Sequence, residues 1–273
     1  MKNLLLIIAV CFSCQISTAQ NLYFPPTTGN TWDTISPLQL GWCPAKIDTL
    51  IQFLENENTK AFLVLQDGKI VIEHYYDNFN QNNLWYWASA GKSLTAFLTG
   101  LAQEQNYLSI TDTTSDYLGL GWTSCSPAEE EKITILNQLT MTTGLDDTWG
   151  GNSDCIDDTC LFYEADAGTR WAYHNAPYTL VEQVVANAVG TTYNQWTNNT
   201  IEAQTGMSGL WIKLGYNNIY WSTPRDMARF GLLMLNNGVW DTDTVMHDQA
   251  YLNDMITTSQ NLNSSYGFLW WLN

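Results

Sequence analysis

Two short motifs, far apart along the chain, constrain what this sequence can fold into: Ser89-Ala90-Gly91-Lys92 and Tyr173-His174-Asn175. A serine hydroxyl is a poor nucleophile at neutral pH and needs a proton acceptor beside it. Residues three apart share one face of a helix, so a helix opening at Ser89 sets Lys92 against the hydroxyl. Ser-x-x-Lys alone is a weak signal. It fits a helix N-terminus capped by Ser89, with Lys92 in solvent, equally well. Its pairing with Tyr-x-Asn favours chemistry. A tyrosine whose pKa is lowered by a nearby ammonium can take a proton from serine and return it to a leaving group. An asparagine two residues on offers an amide to a substrate carbonyl or to the lysine. The bland counterpart is a structural turn with Trp171 and Tyr173 packed in the core.

The flanking residues fit a buried helix start. Leu84-Trp85-Tyr86-Trp87-Ala88 is an apolar run predicted to bury the approach to the serine, while Ala88, Ala90 and Gly91 leave room for a substrate. Leu94, Phe97, Leu98 and Leu101 recur at helical spacing. Pro177 is predicted to start a helix whose buried stripe is Leu180, Val181, Val184, Val185 and Ala188. Ile47, Leu50, Ile51 and Leu54 mark a first amphipathic helix, and Ala61 to Tyr76 reads as a hairpin turned at Asp67-Gly68. Thr223 as cap, Pro224 and Asp226 open a late helix continued by buried Phe230, Leu233 and Leu235. From Thr111 to Asp226 helices are expected to alternate with long polar loops, as in a helical subdomain set on an α/β sheet.

Taken together, these residues resemble the serine β-lactamase and penicillin-binding-protein superfamily. The likeness is to the branch of class C β-lactamases, esterases and D-amino-peptidases, where Tyr-x-Asn fills the role of Ser-x-Asn elsewhere. Ile135 to Leu145 is similar to that family's helix and Ser-Gly-Leu turn, and Ser222 to Gly231 to one of its late helices; the likeness runs from about Pro44 to Asn273. It implies an α/β (α+β) fold, with a β-lactamase/transpeptidase-like antiparallel sheet flanked by helices and an all-helical subdomain. It also implies acyl transfer. Ser89 attacks a carbonyl, Lys92 and Tyr173 share the proton work, and Asn175 orients the substrate or Lys92. The Ser89 N–H supplies one oxyanion donor. Neither cofactor nor metal is called for. The implied substrate is a small molecule or peptide, cell-wall-derived ones included: a β-lactam, a D-amino-acid peptide, a small amide or a carboxylic ester.

One motif departs from the pattern. The family's Lys- or His-containing triad with Gly normally follows the stretch matching Tyr266 to Asn273, and no Lys-Thr-Gly or His-x-Gly occurs after Arg229. The resemblance therefore implies that C-terminal strands and half of the oxyanion hole are missing. Either the chain is a fragment, the favoured reading, or the architecture is remodelled. The same departure supports a competing function, a non-catalytic binding or sensing module.

Residues 1–19 carry Lys2, an apolar run from Leu4 to Phe12 and Ser17-Thr18-Ala19, the order of a secretory signal cleaved after Ala19. A lipoprotein site at Cys14 fits less well. The expected domain is thus 20–273, periplasmic or secreted. A net charge of −17, one unit more negative once Lys2 is removed, argues against nucleic acid and anionic membrane surfaces. No second apolar stretch approaches membrane length. Outside the leader lie Cys43, Cys125, Cys155 and Cys160. Four cysteines allow three pairings; a local Cys155–Cys160 clip is the most economical and would leave Cys43 with Cys125, a pair that the sequence alone does not establish. Asp146, Asp147, Asp154, Asp157 and Asp158 crowd one stretch. Their oxygen-rich spacing suits calcium, but the EF-hand pattern is missing, and a solvated acidic loop at the cleft rim is the reading.

Overall fold

The computed structural model describes residues 22–148 and 153–272; the expected leader lies outside them. Helix α1 (Pro44–Asn56) precedes strands β1 (Ala61–Gln66), β2 (Lys69–Tyr75) and β3 (Trp85–Tyr86). Helices α2 (Gly91–Glu104), α3 (Ser115–Leu118), α4 (Pro127–Glu130), α5 (Ile135–Leu139), α6 (Asn175–Val189), α7 (Tyr193–Thr197) and α8 (Ala203–Thr205) follow. Then come β4 (Gly209–Leu214), β5 (Asn217–Ser222), α9 (Pro224–Leu235), β6 (Val239–Trp240), β7 (Asp243–Thr244) and α10 (Gln249–Met255). Among the described residues all strand pairs are antiparallel, in three sheets ordered β1-β2, β3-β5-β4 and β6-β7. Helices beside antiparallel sheets realise the expected α/β class.

The apolar spacing after Lys92 becomes a helix enclosed on nearly every side, with 11 of the 14 residues of α2 buried. Leu94, Phe97 and Leu98 are fully buried, each stabilising the fold by about 2 kcal/mol. α10 lies close because residue 100 is glycine: a Cβ there would fall 2.3 Å from Tyr251 Cε1. The Tyr251 hydroxyl in turn donates to Ala96 O at 2.7 Å. α6 packs on another side of α2, burying Val181, Val184 and Val185 completely. A smaller core of Trp122, Ile133, Leu145, Leu161, Ala176 and Leu180 fills the helical region beneath the start of α6.

Several expectations are realised locally. The hairpin turns at Asp67 and Gly68, with φ of 52° and 81°, the left-handed pair that a type I′ turn requires. α9 opens as read, Thr223 and Asp226 forming a capping box. The Cys155–Cys160 disulfide is formed.

Others are corrected. Cys43 and Cys125 are free: Cys43 is exposed ahead of α1, and half-buried Cys125 sits under the Leu161 carbonyl. Leu84, Trp85 and Tyr86 are exposed, because this run forms an edge strand on β5 with only Trp87 turned inward. α6 begins at Asn175, which places Pro177 inside its first turn. Leu235, at the end of α9, is 69% exposed. The stretch expected to hold only helices and loops also contains the β4–β5 hairpin, turned at Gly215 with φ of 63°.

The turn after α5 ties the helical region to the second motif. Gly168 N donates to Thr142 O, Ala172 N donates to Met141 O, and Gly144 O accepts from Glu164 N and Ala165 N. Gly144 has φ of 77°, and a Cβ there would lie 2.1 Å from Ala165 O. Gly144→Ala is therefore expected to destabilise the protein by roughly 2 kcal/mol, read as a lower denaturation midpoint at unchanged slope.

Candidate active site

Trp87 fixes where the first motif begins. Its backbone N–H donates to Tyr220 O at 2.8 Å and its indole N–H to Ser222 Oγ at 2.7 Å, locking the chain to β5. Ala88 then takes φ of 46°, a left-handed conformation that costs a β-carbon residue about 1 kcal/mol. The chain passes through one 3-10 turn, Ala88–Ala90, directly into α2. Ser89 stands exposed on that turn, and Lys92 is buried in the first turn of the helix. Lys92 Nζ donates to Ser89 Oγ at 3.4 Å. The spacing of three thus brings the two groups together as expected.

Two aromatic faces enclose the lysine. Nζ lies 4.9 Å from the Tyr173 ring centroid and 4.2 Å from that of Tyr178 on α6. Such faces favour the cation, but burial strips water from it. Burial wins, lowering the Lys92 pKa to about 8 against the opposing charges of Asp154 and Glu182. A substantial fraction of the amine is therefore unprotonated in mildly alkaline solution, when it can accept a proton. Tyr173 meets Lys92 with its ring, which is stacked on Trp271 at 5.7 Å and edge-on to Tyr266 at 6.3 Å.

Ser89, Lys92, Asn175, Tyr178, Asn217 and Asn218 line one cavity of about 160 Å³. A larger one of about 610 Å³ is lined by Thr59, Lys60, Phe62, Trp85 and Met227 among others, and there Lys60 is paired with Asp77 at 3.1 Å. Asn175 does not hold Lys92: its Nδ2 donates to Asp154 Oδ1 at 2.7 Å, and its Oδ1 is buried without a partner. The sequence reading missed Asp154, Tyr178, Glu182, Asn217 and Asn218. Asn217 Nδ2 donates to Asp154 Oδ2 at 2.9 Å, and Asn218 Nδ2 to Glu182 Oε2 at 2.5 Å. Glu182 is 4% exposed, and burial raises its carboxyl well above the usual carboxylate range. A glutamate inside the apolar stripe of α6 was the available signal.

The acidic stretch is a strapped loop rather than a merely solvated one. Asp146 accepts from Thr148, Asp147 pairs with Arg170, and Asp157 accepts from the Tyr216 hydroxyl at 3.0 Å. Among the described residues, no three His, Cys, Asp or Glu side chains are grouped to hold a metal ion. His174, between the motif's tyrosine and asparagine, is buried with Nδ1 unpartnered, and burial lowers its pKa to about 4.

A family model described as Beta-lactamase matches residues 51–273. No curated protein matches the sequence at a significant level. Among solved structures, a provisionally named β-lactamase from Bacteroides dorei is similar with a TM-score of 0.70 at 18% identity, over 83% of this chain and 78% of its own. A provisionally named 6-aminohexanoate-dimer hydrolase from Bacillus anthracis reaches 0.70 at 20% identity, over 92% and 74%. A class C β-lactamase gives 0.61 at 19%, over 78% and 69%. At such identities the likeness is one of fold.

His174 makes stability depend on pH. Above about 6.5 the imidazole is neutral folded and unfolded. Below it the unfolded chain binds a proton that the folded chain refuses until about pH 4. Stability should therefore fall by about 3 kcal/mol across that window through this group alone. Urea unfolding at pH 7 and pH 4.5 should show a smaller drop for His174→Gln than for the wild type.

Proposed function

The chain belongs to the Beta-lactamase family, and on that premise we propose that it is an exported serine hydrolase cleaving an amide or ester through an acyl-enzyme on Ser89. The observation that carries this reading is the 3.4 Å approach of a buried lysine amine to an exposed serine hydroxyl. Unprotonated Lys92 takes the Ser89 proton as Oγ bonds to the substrate carbonyl carbon. The Ser89 N–H stabilises the oxyanion. As the tetrahedral adduct collapses, the C–N or C–O bond breaks and the leaving group receives the proton through Lys92 and Tyr173. Water then adds to the acyl-enzyme, releasing a carboxylic acid and restoring Ser89. Export is supported by the leader pattern of residues 1–19 and by the disulfide, which persists in oxidising compartments.

Incubation with an activated ester and with a penicillin, followed by intact-mass measurement, is expected to add an acyl group to the wild type and not to Ser89→Ala. A folded wild type without an adduct, whose Ser89→Ala variant binds ligand equally well, would establish a binding module instead. Because Lys92 must be unprotonated, the acylation rate should rise with pH to a plateau, with a midpoint near 8. Lys92→Ala should lower that rate at least about 100-fold.

A further inference from the structure

We propose that Asp154 is a positioning residue that fixes the orientation of Asn175 and holds together the two walls of the cavity in front of Ser89. The inference rests on the hydrolase reading above. Asp154 reaches Asn175 at the start of α6 with one carboxylate oxygen, at 2.7 Å, and Asn217 at the start of β5 with the other, at 2.9 Å. Both asparagines line the Ser89 cavity. An ionised carboxylate only accepts hydrogen bonds. It therefore obliges each amide to turn its nitrogen toward Asp154. The Asn175 carbonyl oxygen, buried and unpartnered, is thereby left as an acceptor for a substrate N–H.

The loop carrying Asp154 is anchored on both sides of that bridge. Ser153 O accepts from Ala176 N on α6 at 2.9 Å, and Asp157 accepts from the hydroxyl of Tyr216, next to Asn217. The Cys155–Cys160 disulfide closes the turn that carries Asp157, directly after Asp154. Asp154 also adds a negative charge to the surroundings of Lys92. The other groups facing that ammonium are Ser89 from the turn before α2, Tyr173 from the segment before α6, and Tyr178 and Glu182 from α6.

Geometry and charge are separable by two variants. Asp154→Asn removes the charge and the obligatory acceptor. Its kcat/KM for an activated amide should fall roughly tenfold, the cost of a charge-assisted hydrogen bond, and its acid limb should move to lower pH. Asn217→Ala cuts one arm of the bridge and leaves the charge. Its kcat/KM should fall without displacing the limb, and Asp154→Glu should keep the limb at its wild-type position. A reactive wild type whose Asp154→Asn limb stays in place, or whose Asn217→Ala rate is unchanged, overturns this proposal alone. If Asp154→Asn does not fold, Asn217→Ala decides. A wild type that forms no adduct at Ser89 overturns the hydrolase reading and this proposal together.

Discussion

A buried ammonium at the start of a buried helix is the constraint around which this molecule is arranged. Lys92 is 4% exposed, and taking a charge out of water costs several kcal/mol unless its surroundings compensate. The compensation comes from separate parts of the chain. Tyr173 and Tyr178 present ring faces, Ser89 offers a hydroxyl, and the charge of Asp154 partly restores the lysine's affinity for its proton. No short segment supplies that set. The fold has to bring the two motifs together before either becomes useful.

Each partner is in turn held by something further out. Asn217 and Asn218, adjacent on β5, reach Asp154 and Glu182 respectively. β5 itself is locked to the turn that carries Ser89 through Trp87, whose main chain and indole bond Tyr220 and Ser222. The hairpin that pins the serine is thus also the one that fixes the two carboxylates. This economy explains why an edge strand of two residues, Trp85–Tyr86, is kept beside the motif although its side chains are largely exposed.

What could be read from the sequence was what depends on local spacing. Ser89 and Lys92 meet because three residues make nearly one helical turn, and the Asp67-Gly68 hairpin and the Thr223 cap form from neighbouring residues alone. The illegible parts depend on what lies across the fold. Leu84 to Tyr86 are apolar yet exposed, since their strand is an edge and little covers it. Cys43 and Cys125 were paired by elimination, which carries no information about distance. Asp154 was read as one of several solvated acids because nothing in its neighbourhood announces that two asparagines, one of them on an unforeseen strand, converge on it. Glu182 was passed over because a stripe defined by apolar residues omits the polar one buried with them.

The stacking of Trp271 on Tyr173, together with the bond from Ser93 Oγ to Leu269 O at 3.3 Å, has a consequence for the order of assembly. Leu269 and Trp271 thus pack against residues that lie far from them in the sequence, around Ser93 and Tyr173. Such contacts close long loops, and their entropic cost must be met before they return any stabilisation. α2 can form early as a helix, but its lysine stays wet, with its ordinary basicity, until the distant aromatic rings arrive. The lowered basicity of Lys92 therefore depends on contacts distant in sequence and belongs to the assembled fold rather than to α2 alone.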